Sequence, residues 1–250
     1  MNLSKIRFAK SKPFLSILAL LAASTVVAQT ESQISSDKTV SAQSFKSWVI
    51  TPDSDRKSYE FKLDDSVYRS ATKSASISSV RADAGVQLIR RGALMQTIKA
   101  DVYRGKRMRL SAFVKSENAE QAALWFRIDG EGMQRLGFDG MENRLIKGSS
   151  DWSKYEMILD VPVAAQQIVI GAILKGAGQI WVDDFKFEEV GRDVPITSLK
   201  PQEEEAKGSL RYIEIYREKN KDAYEQQLRA FQERNKSAAP VPGNLDFESF

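Results

Sequence analysis

From Phe45 to Val190 apolar and polar residues alternate in short runs divided by turn residues. Met108, Leu110, Ala112 and Val114 share one face of a strand, and Leu124, Phe126 and Ile128 share one face of the next. Tyr155, Met157, Leu159 and Val161 repeat the pattern, as do Ile168, Ile170, Ala172 and Leu174. A period of two sets one face on a core and leaves the other to water or a ligand. The alternation predicts strands over 47–50, 59–63, 74–79, 93–100, 107–116, 122–129, 155–161, 167–174 and 179–188. Turns are marked by Arg104-Gly105-Lys106, Asp129-Gly130-Glu131-Gly132 and Lys175-Gly176-Ala177-Gly178. No helical period intervenes. The expected fold class is therefore mainly β, a jelly-roll β-sandwich over residues 44–195, followed by a C-terminal α-helix.

That helix is predicted over 201–236. Pro201 stands near its start, and Glu203, Glu204 and Glu205 fall in its first turn, where negative charge suits the helix dipole. Leu210, Ile213, Tyr216, Tyr224, Leu228 and Phe231 form a broken apolar stripe at helical spacing. The stripe either packs on the sandwich or meets a protein partner. Arg217 and Asn220 interrupt it, so no strict heptad survives. Residues 237–250 are expected to form a linker and a terminal segment, Asn244-Leu245-Asp246-Phe247-Glu248.

The N-terminus changes the picture of where the protein works. Lys5, Arg7, Lys10 and Lys12 precede an apolar run from Phe14 to Val27, and Val26-Val27-Ala28 ends it with compact residues. These features predict a signal peptide over 1–28, cleaved after Ala28. The alternative, an uncleaved anchor, needs about 20 apolar residues to span a bilayer, and this run is shorter. Residues 29–43, rich in Ser, Gln and Thr, read as a flexible lead-in. The expected location is periplasmic or secreted, with no transmembrane segment after cleavage.

Losing residues 1–28 removes four basic residues and no acidic one, leaving 33 of the 37 Lys and Arg against 33 Asp and Glu. The processed chain would be neutral, so the sequence gives no support for a nucleic-acid partner. The chain has no Cys and no His. That removes disulfides, the usual general base, and Ser-His-Asp or Cys-His nucleophile systems.

Candidate chemistry centres on strand 122–129. If Leu124, Phe126 and Ile128 face the core, Trp125, Arg127 and Asp129 face outward. An indole beside a cation and a carboxylate suits a sugar, whose apolar face stacks while its hydroxyls bond the charges. From the neighbouring pattern Arg109, Phe113 and Lys115 are expected to share that surface. The alternative is that a loop or the 201–236 helix covers Trp125 and that Arg127 and Asp129 merely pair. Trp152, in an expected loop after Asp151, either rims the site or plugs the sandwich end. Trp181 reads as core. Across Asp183-Asp184 the apolar phase flips from Ile180 and Val182 to Phe185 and Phe187, as a β-bulge would require. A carboxylate-based glycan hydrolase stands third, because no acidic pair occupies a recognisable frame.

Gly92-Ala93-Leu94-Met95-Gln96, Tyr103-Arg104-Gly105-Lys106-Arg107, Leu124-Trp125-Phe126-Arg127-Ile128-Asp129-Gly130, Asp151-Trp152, Leu159-Asp160-Val161-Pro162 and Trp181-Val182-Asp183-Asp184 occur in this order. Together they resemble a bacterial galactose-binding-like, carbohydrate-binding-module-type jelly roll found in varied exported and regulator-labelled proteins. The resemblance implies fold better than function. It implies a place for a structural calcium ion at Asp183 or Asp184 with Glu248, although an Asp-capped turn explains the same acids. No other cofactor is expected. Members of that module often begin with an Asn-Leu-Asp-Phe-Glu strand. Here those residues stand at 244–248, which implies either a tail that returns to the first-strand place or a remnant of a second module.

The expected role is a non-catalytic binding module, with a glycan on Trp125, Arg127, Asp129, Arg109 and Trp152. The rival is a protein-interaction or structural role through the helix. Export predicts that the protein recovered from outside the cytoplasm begins at Gln29. Intact-mass measurement checks this, and retention of residues 1–28 would leave the chain an anchored protein.

Overall fold

A computed structural model describes residues 45–80 and 90–249. The expected signal peptide and lead-in lie outside the described residues. Among the described residues there are nine strands: β1 (Val49–Ile50), β2 (Tyr59–Asp64), β3 (Ser74–Ser79), β4 (Arg91–Lys99), β5 (Arg107–Asp129), β6 (Arg135–Asp139), β7 (Ile146–Asp160), β8 (Gln167–Lys175) and β9 (Gln179–Val190). Two helices follow, α1 (Gln202–Lys219) and α2 (Lys221–Ser237). The chain is a mainly β jelly-roll sandwich with C-terminal helices.

The organising element is β5. Its first half, Arg107–Glu117, pairs antiparallel with β9 and β7, and its second half, Gln121–Asp129, pairs with β8 and β6. The first sheet therefore runs β2-β3-β9-β5-β7, and the second runs β1-β4-β8-β5-β6. Strands 107–116 and 122–129, expected as two, are one. Between them the Ser116–Glu120 stretch loses its alternation because the strand is changing partners, with register shifts against β7 and a positive φ at Asn118. The β8–β9 hairpin is tucked into this corner. A Cβ on Gly178 would strike Asn118 O and Ala119 Cα, so only glycine fits there.

Even-numbered residues of both halves of β5 point inward, while at the corner between them Ala119 is buried and Asn118 and Glu120 are exposed. Met108, Leu110, Ala112, Val114, Ala122, Leu124, Phe126 and Ile128 share one core cluster with Ile168, Ile170, Met157, Leu159, Ile77 and Phe61. Two other strands differ from expectation. β7 begins at Ile146 rather than 155, so Trp152 lies in an edge strand and not in a loop. β6, with Gly137 at its centre, is too short to show alternation.

The single helix expected over 201–236 is broken at Asn220, whose φ and ψ of −138° and 52° are not helical. On α2, Tyr224 and Phe231 are buried and Leu228 is half-buried. No helix among the described residues is long and apolar enough to cross a membrane.

After α2 the chain lies against the sandwich. The Lys99 amide donates to Ala239 O (2.9 Å), and the Gln96 side chain exchanges two hydrogen bonds with the backbone of Gly243 (2.8 Å each). Trp48 Nε1 donates to Asn244 O (2.9 Å), and the Phe185 amide donates to Leu245 O (2.9 Å). Residues 244–248 form a turn, with positive φ at Asn244 and Phe247, and not the strand expected from the sequence. Phe247 is fully buried, its ring 5.2 Å from Trp48 and 6.1 Å from Phe185.

Phe247→Ala would leave a cavity between two aromatic rings. The expected loss is about 3–5 kcal/mol, read as a lower urea midpoint with an unchanged slope. A wild-type midpoint would mean that the tail is only laid on the surface.

Candidate functional site

The outer face of the second sheet can be read from its register. One row is Val49–Met95–Gly171–Trp125. The next is Thr97–Val169–Arg127–Phe138, and the third is Lys99–Gln167–Asp129–Arg135. Trp125 is half-exposed. Its indole rests against Gly171, where any Cβ would collide with Trp125 Nε1 and Leu94 O. A glycine inside a strand often marks such close approach. The seat is legible in Ile168-Val169-Ile170-Gly171 as a glycine inside an apolar strand. Trp125 Nε1 is buried and has no hydrogen-bond partner.

Arg127 borders the indole, with its guanidinium carbon 5.7 Å from the ring centroid. It also holds Asp129 through Nε and a terminal nitrogen, both 3.0 Å from Oδ2. Gln167 Nε2 donates to the same oxygen (3.1 Å), and Asp129 is buried. Asp129 therefore fixes Arg127 and is not itself open to a ligand. Helix α2 crosses this end of the face. Tyr224 Oη stands over Gly132, and just past the helix Ala239 bridges Ile98. The helix thus covers the third row and leaves Trp125 and Arg127 part-open.

Arg109, Phe113 and Lys115 are not on this face. They are odd-numbered residues of the first half of β5 and point outward from the first sheet, on the other side of the sandwich. The expectation failed because β5 changes sheets between them and Trp125. Arg109 pairs with Glu188 (3.2 Å) and Lys115 with Asp151 (2.8 Å). The Phe113 ring is covered by the Arg69 guanidinium at 3.5 Å. Trp152 is half-exposed on the edge strand of that same sheet, next to Asp151. Neither Arg109 nor Trp152 joins Trp125.

Trp181 also differs from expectation. It is buried, but on the outer side of the first sheet, in register with Ser76 and Lys115. Its Nε1 donates to Asp64 Oδ2 (2.9 Å). Burial works to raise the Asp64 carboxyl. Hydrogen bonds from the Ser66 hydroxyl, Trp181 and the Ser66 and Val67 amides outweigh it and hold the group well below the usual carboxylate range.

At Asp183-Asp184 the phase flip is a bulge, with a register shift against β5 and a positive φ at Asp184. Asp183 Oδ2 accepts the Arg69 and Ser70 amides (2.9 and 3.0 Å), and its Oδ1 accepts the Asp184 amide (2.7 Å). Burial raises Asp183 despite these bonds. Asp184 pairs with Arg69 and accepts from Ser70 Oγ. Glu248 accepts the Thr72 and Lys73 amides (2.8 Å each). These acids cap one loop, Tyr68–Lys73, at separate points, and their oxygens face N–H donors. The donor set does not fit a calcium ion. Among the described residues, no group of three acidic side chains is placed to hold a metal.

No family model matches the chain. The uncharacterized HTH-type transcriptional regulator YbfP of Bacillus subtilis is 38% identical over 157 residues, which are 62% of this chain and 52% of that protein. The chain thus spans about half the length of this curated relative. Among solved structures, it is similar to the enzymatically active domain of bacteriophage CBA120 tailspike protein 4, with a TM-score of 0.45 and 14% identity over 58% of this chain and 19% of that one. It is also similar to the C-terminal family 22 carbohydrate-binding module of endo-1,4-β-D-xylanase 10B of Clostridium thermocellum. There the TM-score is 0.41 and identity is 11%, over 60% of this chain and 89% of that one.

The seat of Trp125 is testable. Gly171→Ala forces a methyl group into the indole and the Leu94 carbonyl, with an expected cost of about 1–3 kcal/mol and a red shift of indole emission as Trp125 is displaced. Unchanged emission and stability would show that the indole is not held there.

Proposed function

We propose that the protein is an exported, non-catalytic binding module that takes a glycan on the outer face of its second sheet. One observation carries the reading: Trp125 is part-open and seated on Gly171, with a charged donor at its rim. The contrast with Phe113 is physical. There a guanidinium lies on the ring at 3.5 Å and occupies the stacking surface. At Trp125 the guanidinium stands 5.7 Å off, which leaves room for a sugar ring to stack. Arg127 is immobilised by Asp129, so its remaining N–H groups are presented without much further loss of freedom.

The absence of His and Cys supports a non-catalytic role, and the basic start followed by the apolar run Phe14 to Val27 supports export to the periplasm or beyond. A second reading has its own observation. The stripe of Tyr216, Tyr224, Leu228 and Phe231, expected as the partner surface, is turned into the molecule to varying degrees, with Tyr224 and Phe231 buried. Leu210, Tyr212 and Ile215 of α1 are left exposed by 45, 66 and 43%. A protein partner would meet these residues instead.

Tryptophan fluorescence of the purified protein, titrated against a panel of soluble glycans with Trp125→Ala alongside, separates the readings. A saturable change lost in the variant is expected. No change with any glycan, in a protein that remains folded, overturns the glycan reading and moves the function to the α1 surface.

A further inference from the structure

A polar group is left over beneath α2. Gln167 lies on the outward side of β8, in the row Lys99–Gln167–Asp129–Arg135, yet it is completely buried. Its Nε2 donates to Asp129 Oδ2 (3.1 Å), which fixes the direction of the carboxamide, and its Oε1 has no hydrogen-bond partner. On the helix that covers this row, Asn235 Oδ1 is also buried without a donor. A buried acceptor left unpaired is costly, and two acceptors cannot satisfy each other.

The helix above this row is held unlike its neighbour. Polar bonds stitch α1 to the sandwich. Gln202 Nε2 donates to Asp160 O (2.8 Å) and its Oε1 accepts the Asp160 amide (2.9 Å). The Arg135 amide donates to Ser209 Oγ (2.8 Å), and the Arg135 guanidinium pairs with Glu205 (3.1 Å). Among the described residues α2 makes no hydrogen bond or ion pair to any strand. Its grip is the burial of Tyr224 and Phe231. Asn220 breaks the helical path before it, and Ala239 after it accepts the Lys99 amide (2.9 Å). An element held by apolar contacts alone between two such points can open locally while the sheet beneath stays folded.

We infer that α2 is a strap over a second sugar subsite, in which Gln167 Oε1 accepts a sugar hydroxyl. The inference rests on the glycan reading above and extends its site. Along β8 the outward residues run from Gly171, the seat of Trp125, through Val169 to Gln167. Val169 is buried on this face, outside the core cluster between the sheets, and supplies an apolar floor. Four residues of strand set Gln167 about 13 Å from Gly171, beyond the one ring stacked on Trp125. A chain of several sugars reaches Gln167 only with α2 lifted, and its hydroxyl then meets an acceptor whose direction is already set. A short ligand at Trp125 leaves the strap closed.

Hydrogen exchange read by mass spectrometry, with calorimetric titration of di- and hexasaccharides of the cellulose, xylan and mannan series, tests this. In the free protein the amides of 221–237 are expected to exchange at least about ten-fold faster than those of β8. Phe231→Ala is expected to speed them further and to leave the urea midpoint of the sandwich near the parent's. Tyr224→Ala, at the other end of the grip, repeats the test should that variant not fold. The loosened protein is expected to bind a hexasaccharide roughly ten-fold tighter and its disaccharide as before. Adding Gln167→Met is expected to remove the gain, and retained disaccharide binding verifies that Trp125 and Arg127 are undisturbed. Exchange of α2 only as slow as that of β8 overturns the strap, whatever binds. Equal effects on both lengths, or a gain that survives Gln167→Met, overturn the second subsite and leave the glycan reading at Trp125 standing. Binding of neither length overturns both.

Discussion

The molecule is organised by one long strand that serves two sheets. Strands in globular proteins usually run about 3–10 residues, whereas β5 has 23. It can do so because it changes partners midway, from β9 and β7 to β8 and β6. The inward parity is kept across the change, so Leu110 and Phe126 enter the same core. The outward parity is kept as well, but its meaning changes. Arg109 and Trp125 are sixteen positions apart on one strand, both point out, and they look out from opposite sides of the sandwich. Every statement about a binding surface in this chain depends on that crossing.

The rest of the chain closes what β5 leaves open. The sequence has no Cys, so no covalent clamp holds the ends. The aromatic group of Trp48, Phe185 and Phe247 does that work, joining the segment before β1, the strand β9 and the tail. Glu248 and the two acids of the bulge fasten the same region by accepting amides of the Tyr68–Lys73 loop. Acids that suggested a cation are instead ligands for backbone N–H groups. In a chain without metal-binding His or Cys, this is an economical way to fix a loop.

Much of the sandwich was legible because alternation is a local signal. A residue two positions away answers the same question, and Leu124, Phe126 and Ile128 answer it consistently. What failed was non-local. No short-range pattern says that β5 leaves one sheet for another, so nothing local separates the face of Arg109, Phe113 and Lys115 from that of Trp125. Arg69, in a loop with no periodicity, covers Phe113, and nothing in either segment announces the other. β6 was lost because five residues with a central glycine carry no measurable period. The helix break at Asn220 was half-visible, since Asn220 interrupts the apolar stripe there. The Gly171 seat was visible in principle, because an isolated glycine in an apolar strand asks for an explanation.

The two outer faces then differ in how their charges are settled. On the first sheet Arg107, Arg109 and Lys115 each have a carboxylate partner, Asp160, Glu188 and Asp151 respectively. Such part-exposed pairs contribute little to stability, and Arg109 Nε is left buried without a hydrogen-bond partner. On the outer face of the second sheet the buried carboxylate Asp129 holds the Arg127 guanidinium and the Gln167 amide. Trp125 Nε1 beside them is buried without an acceptor, and a buried donor left unpaired is costly. Helix α2 crosses the far end of this face and stops short of Trp125, so the opening that remains lies at the indole and the guanidinium beside it.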